Sequence, residues 1–585
     1  MNFNPNDNQN INLDIETLSY KDFINKELIL FSLYDNQRSI PSLCDGLKPS
    51  ERKILYGCFL RNLREEIKVN QLIGYISEHT AYHHGEQSLG LTIVAMSQNF
   101  VGSNNINLLL PIGQFGSRNQ GGKDSASARY IHTNLNKVTR HIFNSNDLPL
   151  MNYQVEEGLK IEPNYYLPII PMILVNGSDG IGTGWSTNVP CFNPRDIVNN
   201  IKNKLNGGQF EKIHPWYKGF QGTILPDDKK PGSYLVTGKY KWSDEDPNVL
   251  YITEIPIKKW TKDYYIFLQE LMGVEMEKSQ SEKKEKKDKK KKKNNNEDEE
   301  KNKEKKKKPI ILEDIKQNHT NNRINFEIKF LPEFASKFRE NESLLLKTFN
   351  LQSPLSIKNM VLFNAQGQIH RYDSVENIFD EFYVIRLEYY KKRREHMISV
   401  LKRDVAILNN KVRFITEVIN EELIINKKKR AVLVNELYEK KYDPMSKLEK
   451  IIIKSKEEIE TEMELINHNK NNSEEDKNEE EENKSEGEKI KIPAKEYDYL
   501  LTMNLWSLTF ERVEELNNQK NKKQSELDAL MNCSEKQLWI NDLDNFIIAL
   551  DEYEKEEEED RLTADKLKKN KGKNNKEGKK RRKKK

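Results

Sequence analysis

Along the 585-residue chain, apolar residues fall into patterned stretches separated by long polar runs. From Tyr20 to about Arg140 the apolar positions repeat at helical spacing. The segments KDFINKELILFSLYD (21–35), PSERKILYGCFLRNL (49–63) and GEQSLGLTIVAMSQNF (85–100) read as helices, the second opened by Pro49 and Ser50. Short helices joined by glycine-containing turns suit a helix-turn-helix arrangement. Between 145 and 375 the pattern changes to strand-like runs, GSYLVTG, NVLYITEIPI, RINFEIKFL and NMVLFNAQG, each bounded by turn residues, which predicts an α+β domain. Further on, Leu401, Val405, Leu408, Val412, Ile415 and Ile419 recur at steps of three and four, the signature of a coiled-coil seam. Its expected partner runs from Tyr499 to Met531, where Val513, Leu516, Leu527 and Leu530 keep the register and Lys520 and Lys523 break it. The pair should pack antiparallel, with the region between them, near 422–498, at the far tip.

The polar runs divide this pattern. Residues 277–308 are dominated by lysine and residues 468–490 by asparagine and glutamate. Neither run holds enough apolar surface to offset the entropy of ordering it, so both are expected to be disordered inserts. The tail from 549 is acidic and then basic; it too is expected to be disordered, and its last residues, KKRRKKK, resemble a nuclear import signal. The predicted organisation is therefore a polar segment 1–17, a helical domain 18–144, an α+β domain 145–375, a coiled-coil region 376–548 and a charged tail 549–585.

Composition narrows the function classes. The net charge is only +4 although 32% of residues are charged, so a basic surface for nucleic acid must be local. Four cysteines (Cys44, Cys58, Cys191, Cys533) form no CxxC pair, which argues against a zinc site or a disulfide framework. The amino terminus lacks the basic and apolar regions of a secretory signal. The longest apolar run, Leu167–Val175, contains a proline and is too short to span a bilayer, so a soluble protein with no membrane partner is expected.

The segment KDSASARYIHT (123–133) places Tyr130 beside Arg129 after a turn of small residues. By itself this is an ordinary helix-start pattern. Its neighbours are SIPSLCDGLKPSERKILYG (39–57), SEHTAYHHGEQSLG (77–90), QNFVGSNNINLLLPIGQFGSRNQGGKDSASARY (98–130) and EPNYYLPIIPMILVNGSDGIGTGWSTNVP (162–190). Together these strings resemble the breakage and reunion region of eukaryotic type IIA DNA topoisomerases, from about residue 18 to about residue 548. Their bacterial gyrase counterparts share DGLKP and RY but differ at YHHGEQSL.

The resemblance implies a multidomain α+β fold: a winged-helix domain, an α/β tower, and a long antiparallel coiled coil with a small helical dimerisation tip. It implies that Tyr130 attacks a DNA phosphodiester, forming a phosphotyrosyl ester that conserves the bond energy for resealing. A free phenol titrates near about 10, so the attack needs neighbouring cations, a base or a metal. By the family's pattern Arg129 holds the scissile phosphate and His84 donates a hydrogen bond to it, while for His83 a packing role is equally open. Arg38, Lys48 and Arg52 lie in segments that match the family's DNA-facing surface. Gln114, Ser117 and Lys123 are candidate phosphate contacts in glycine-rich loops that would let backbone approach the duplex. Ile181, in GSDGIGTGW (177–185), corresponds to a wedge inserted between base pairs; the alternative is core packing between two tight turns. That segment lacks the spacing and lysine of a nucleotide-binding loop.

The same resemblance calls for Mg2+ held by a Toprim module and ATP used by an ATPase module. Neither module's motifs, and no metal-ligand cluster, are legible in the sequence. The expected partners are double-stranded DNA, a second copy of the chain, and a Toprim- and ATPase-containing polypeptide or preceding segment. The expected location is the nucleus. The chain could be a fragment, a truncated reading frame or a separately encoded part of the enzyme, binding DNA and dimerising alone but cleaving poorly. The competing readings are a non-catalytic dimeric DNA-binding fragment and a coiled-coil scaffold, the latter leaving the DNA-facing motifs unexplained.

Overall fold

The structure is a computed structural model that describes residues 17–156, 158–273, 310–320, 323–425, 428–452, 493–503 and 509–582. The predicted inserts 277–308 and 468–490 and the first sixteen residues lie outside the described residues. Contacts divide the chain into two compact units, one of residues 1–139, 155–162 and 170–380, the other of residues 140–154, 163–169 and 381–585.

The first unit begins with a helical segment whose last part, α1 (Ile29–Ser39), follows a wide turn at Phe23–Leu28. Helix α2 (Pro49–Leu60) starts at its proline, where the missing N–H costs nothing. Its first turn is closed by the Lys48 amide donating to Glu51 Oε2 at 2.8 Å. Helices α3 (Val69–His79) and α4 (Glu86–Ser97) pack on it around Ile54, Leu55, Leu72, Ile76, Leu89 and Ile93, all essentially inaccessible. Gly57 permits the approach of α2 to α3, since a Cβ there would sit 2.7 Å from Ile76 Cγ1. A two-stranded ribbon, β1 (Ile67–Lys68) with β2 (His132–Thr133), closes the group.

The rest of the unit is built on antiparallel strands. Strands β3 (Ser178–Ile181) and β4 (Ser186–Val189) form a hairpin, followed by α5 (Pro194–Leu205). Strands β5 (Thr223–Pro226), β6 (Ser233–Thr237), β7 (Lys239–Trp242) and β8 (Val249–Glu254) precede α6 (Thr261–Leu271). Strands β9 (Leu312–Gln317) and β10 (Phe326–Phe330), helices α7 (Pro332–Glu340) and α8 (Glu342–Thr348), and strands β11 (Gln352–Ser356), β12 (Met360–Phe363) and β13 (Ile369–Tyr372) complete it. One sheet has the order β9-β10-β8-β7 and another β11-β6-β5. Alternation explains which face is buried: Phe326, Ile328 and Phe330 point into a core with Leu250, Ile252 and Leu268. Glu327 and Lys329, on the other face, pair with Lys316 and Glu313. All four strand runs read from the sequence are strands here.

The second unit is dominated by helices α9 (Val375–Ile419), α10 (Arg430–Glu439), α11 (Phe510–Asn532) and α12 (Glu535–Arg582). Contacts between α9 and α11 run in opposite order. About midway along, α9 sends Arg394 to the carbonyls of Met531 and Cys533, both at 2.7 Å. Towards its end, Phe414 and Ile415 share a core with Leu516 and Val513. That core also takes in Leu423, Val434 and Leu437 and, from beyond the undescribed stretch, Tyr497 and Leu500. At the other end Trp539 is fully buried, stacked against Tyr383 and Tyr390 with centroids 5.3 and 5.2 Å away. Its indole N–H donates to the Ile169 carbonyl at 2.9 Å.

The tail differs from expectation. Helix α12 continues through the charge-rich residues 549–582, which the composition assigned to disorder. Glutamate and lysine bring no core, yet both are good helix formers, and pairs such as Arg561–Glu558 lie three apart on one face. No described helix is long and apolar enough to cross a membrane.

Candidate active site

The loop carrying Tyr130 is fixed on both sides by backbone hydrogen bonds. The Val69 amide donates to the Ile131 carbonyl at 3.0 Å, and the Asn70 amide to the Ala128 carbonyl at 3.2 Å, tying residues 128–131 to the start of α3. Ile112 and His132 exchange hydrogen bonds of 3.2 and 2.9 Å. Ile131 is buried, and its Cγ2 would lie 3.1 Å from a Cβ added at Gly113, whose φ of +113° favours glycine in any case. Between these anchors the chain turns through a Tyr130 N–H to Ser127 carbonyl bond of 2.9 Å. The Tyr130 side chain is left 79% exposed, with Arg129 exposed beside it. A rigid backbone presenting a free phenol is what an attacking nucleophile requires.

His84 lies just before α4, in the stretch that joins it to α3. Its Nε2 is 2.6 Å from the hydroxyl of Tyr34 on α1, and its ring meets the Tyr82 ring edge-on at 5.5 Å. The guanidinium of Arg38, one turn further along α1 and exposed, is 5.8 Å from the Tyr34 ring. Partial burial, then the charge of Arg38, with smaller contributions from His83 and Lys53, lowers the His84 pKa below the ordinary imidazole value. His83 lies 3.5 Å from Glu156, an ion pair only when the imidazole is protonated.

Ile181 ends β3 and is 86% exposed, which excludes core packing for it. The turn beyond it is tied to α1: Asn36 Nδ2 donates to the Thr183 carbonyl at 3.1 Å, and Thr183 Oγ1 donates to Asp35 at 2.8 Å. Glycine is needed at 180 and 182 because a Cβ would sit 2.0 Å from the Ser39 carbonyl oxygen and 2.1 Å from Asn36 Oδ1. Helix α1 thus carries Tyr34 and Arg38 and also steadies the hairpin that carries Ile181. Lys48 Nζ donates to the Asp179 carbonyl at 2.7 Å at the base of that hairpin, and Asp179 is also paired with Lys258.

Two candidate DNA contacts are placed elsewhere. Arg52 is only 5% exposed; its Nε donates to Asp45 Oδ2 at 2.7 Å and its Nη2 to Asp45 Oδ1 and the Leu47 carbonyl, both at 3.0 Å. Its charge is spent on holding the turn that precedes α2. Ser117 is 6% exposed and donates to Asp124 Oδ2 at 2.5 Å, while its amide donates to Asp124 Oδ1 at 2.8 Å. It braces the glycine-rich loop from within and has no face for a phosphate. On the same loop Gln114 is exposed and reaches Asp124 at 3.4 Å, and Lys123 is exposed.

Sequence reasoning passed over Tyr34, Asn36 and Asp124, which hold His84, the Ile181 hairpin and the Ser117 loop. Nothing in their spacing marks them, because each acts on a segment at least seven residues away. Among the described residues no group of three or more His, Cys, Asp or Glu side chains could hold a metal ion.

Known proteins resemble the chain along most of its length. The family model for the A subunits of DNA gyrase and topoisomerase IV matches residues 38–306 and 288–544. The chain is 44% identical over 528 residues to the DNA topoisomerase 2 of Plasmodium falciparum, covering 90% of this chain and 34% of that protein. It is 42% identical to that of Saccharomyces cerevisiae over 543 residues, 92% of this chain and 35% of the yeast protein. The chain spans about a third of the length of these relatives. A crystal structure of the Plasmodium falciparum topoisomerase II DNA-binding, cleavage and re-ligation domain superposes with a TM-score of 0.76 at 42% identity. That match covers 93% of this chain and 66% of the other.

Proposed function

Because the chain belongs to the family of DNA gyrase and topoisomerase IV A subunits, we propose that it is the breakage and reunion part of a type II DNA topoisomerase. The observation that carries this reading is the Tyr130 phenol, exposed on a turn whose backbone is fixed at both ends. In the proposed reaction the phenol oxygen attacks a backbone phosphorus and the bond from phosphorus to the 3′ oxygen breaks. The phenol proton passes to solvent or a base, the departing 3′ oxygen takes one up in exchange, and a 5′ phosphotyrosyl ester and a free 3′ hydroxyl result. Resealing is the reverse attack by the 3′ hydroxyl, so the ester stores the bond energy across strand passage.

In this reading Arg129 and His84 stabilise charge on the phosphate. Arg38, Lys48, Gln114 and Lys123 contact the backbone, and Ile181 wedges a base step open. Arg52 and Ser117 are left out because both are buried and engaged. The helical group α2–α4 with its ribbon serves as the winged-helix domain, the sheets of the first unit as the tower, and α9 with α11 as the antiparallel coiled coil. Residues near 420–500 serve as the dimerisation tip, with double-stranded DNA and a second copy of the chain as partners. Mg2+ and ATP, which the activity of such an enzyme calls for, would be carried by Toprim and ATPase modules beyond the described residues. A nuclear location belongs to this reading, supported by the eukaryotic relatives and the basic run KKRRKKK. The alternative, a dimeric DNA-binding protein without cleavage, keeps Ile181 and the basic contacts but leaves the exposed Tyr130 without a use.

The test is a covalent trap. The chain is mixed with DNA, magnesium and a Toprim-containing fragment, the reaction is stopped with detergent, and protein joined to DNA ends is measured. The native chain should give an adduct and Tyr130→Phe none; no adduct from the native chain would leave the non-catalytic reading, and an adduct from Tyr130→Phe would overturn the assignment of the nucleophile.

A further inference from the structure

We propose that Tyr34 is a positioning residue for His84, fixing the imidazole in the tautomer that carries its proton on Nδ1 and so presenting Nδ1–H to a DNA phosphate. The consequence for catalysis rests on the reading of His84 given above; the pairing itself does not.

The geometry is specific. The Tyr34 hydroxyl lies 2.6 Å from His84 Nε2, the short end of the range for such a bond. Tyr34 stands on a helix whose next two residues are fixed, Asp35 by Thr183 and Asn36 by the Thr183 carbonyl, so the hydroxyl is presented from an anchored element. The Tyr34 ring lies 5.8 Å from the His84 ring at 52°, and the Tyr82 ring meets it edge-on at 5.5 Å, so the imidazole is contacted from two sides.

Chemistry then assigns the proton. Partial burial, and after it the positive charge of Arg38, disfavour the imidazolium, so the ring is neutral at neutral pH. A neutral imidazole has one donor nitrogen and one acceptor, and the hydrogen bond at one nitrogen decides the state of the other. Between a phenol and a neutral imidazole, the phenol is the stronger acid and the ring nitrogen the stronger base, so Tyr34 donates and Nε2 accepts. The ring proton is then on Nδ1. Without Tyr34 the ring would revert to the form that water favours, with the proton on Nε2, and its donor would point elsewhere.

Two measurements on the full chain test this. The first follows the ring-nitrogen signals of His84 in 15N-histidine-labelled protein, identified by their loss in His84→Gln. A protonated Nδ1 with a bare Nε2 is expected, shifting towards the opposite tautomer in Tyr34→Phe. A protonated Nε2 in the native chain, or no change in Tyr34→Phe, overturns the proposal.

The second measures the rate of adduct formation in the trap described above. Tyr34→Phe should slow it about fivefold, the loss of one ordinary hydrogen bond, with DNA affinity unchanged. The same substitution should do nothing further in a His84→Ala background. A faster rate in Tyr34→Phe, or an equal slowing with and without His84, overturns the positioning role. If His84→Ala alone leaves the rate unchanged, or Tyr130→Phe still forms an adduct, the reading of the site has failed instead, and the nitrogen signals still decide the pairing.

Discussion

At the scale of the residue, the site separates side chains that face solvent from those spent on the fold. His84 should titrate below the ordinary imidazole value of 6.5, because burial and the charge of Arg38 disfavour its cation. In the folded chain it binds fewer protons than in the unfolded chain between its lowered pKa and 6.5. Its contribution to stability is therefore complete above 6.5 and is lost as pH falls through the folded value. Following the His84 ring C–H signals against pH should give a midpoint below 6.5. Ile181 makes a second expectation. Its side chain is 86% exposed, so Ile181→Ala should change folding stability by no more than about 0.5 kcal/mol. If it is the wedge, end-to-end fluorescence transfer on a labelled duplex should report a straighter bound DNA. Tyr130, His84 and Ile181, which the motifs single out, all lie at the surface. The motifs could not separate Arg52 from Arg38, since a letter does not say whether the chain folds back on it. Arg52 meets Asp45 and Ser117 meets Asp124, each partner seven residues away across a turn, and turn geometry decided the outcome.

At the scale of the element, the pattern of apolar positions was a reliable guide where a face had to be buried. The four strand runs and the helices opening at Pro49 and Glu86 follow from period alone. So does the register of the long helices, where Leu516, Leu527 and Leu530 are buried. Period was silent where charge does the holding. Arg386 on α9 is completely buried and donates to Asp147 Oδ2 at 2.7 Å and Oδ1 at 3.3 Å, within a short helical turn at Ser145–Leu150. Arg393 and Tyr390, also on α9, both reach Asp542 Oδ2 on α12, at 2.7 and 2.8 Å. These charges fasten three elements that lie far apart in sequence, and nothing in the local pattern announces them. Removing one partner leaves a buried guanidinium uncompensated, so Asp147→Ala should destabilise the second unit by about 3–5 kcal/mol. Chemical denaturation followed by tryptophan fluorescence, to which the buried Trp539 stacked on Tyr390 contributes, is the measurement. A cost of less than about 1 kcal/mol would mean that the packing around α9, rather than the ion pair, holds this junction. The tail is the converse case: few apolar residues lie beyond Leu550, yet helix formation needs only backbone and local pairs.

At the scale of the whole molecule, the proposed function needs two copies, because a double-strand break requires two tyrosines, one for each strand. The small core that caps the far end of α9 and α11 buries Leu433, Val434 and Leu437 of α10 but leaves Val432, Tyr438 and the nearby Ile424 exposed at 51%, 48% and 56%. Apolar side chains presented outward from a well-packed cap are costly in a monomer and useful in a dimer. We expect Val432→Glu combined with Tyr438→Glu to leave the cap folded, since neither side chain belongs to its core, while weakening self-association. Light scattering on the eluting protein should report twice the chain mass for the native form and a shift towards one chain mass for the double variant. Paired cleavage should fall with it: the double variant should convert supercoiled DNA to nicked rather than linear products in the trap, because each tyrosine would then act alone. Linear product in unchanged proportion would place the dimer contact elsewhere in the chain and leave these three residues as surface.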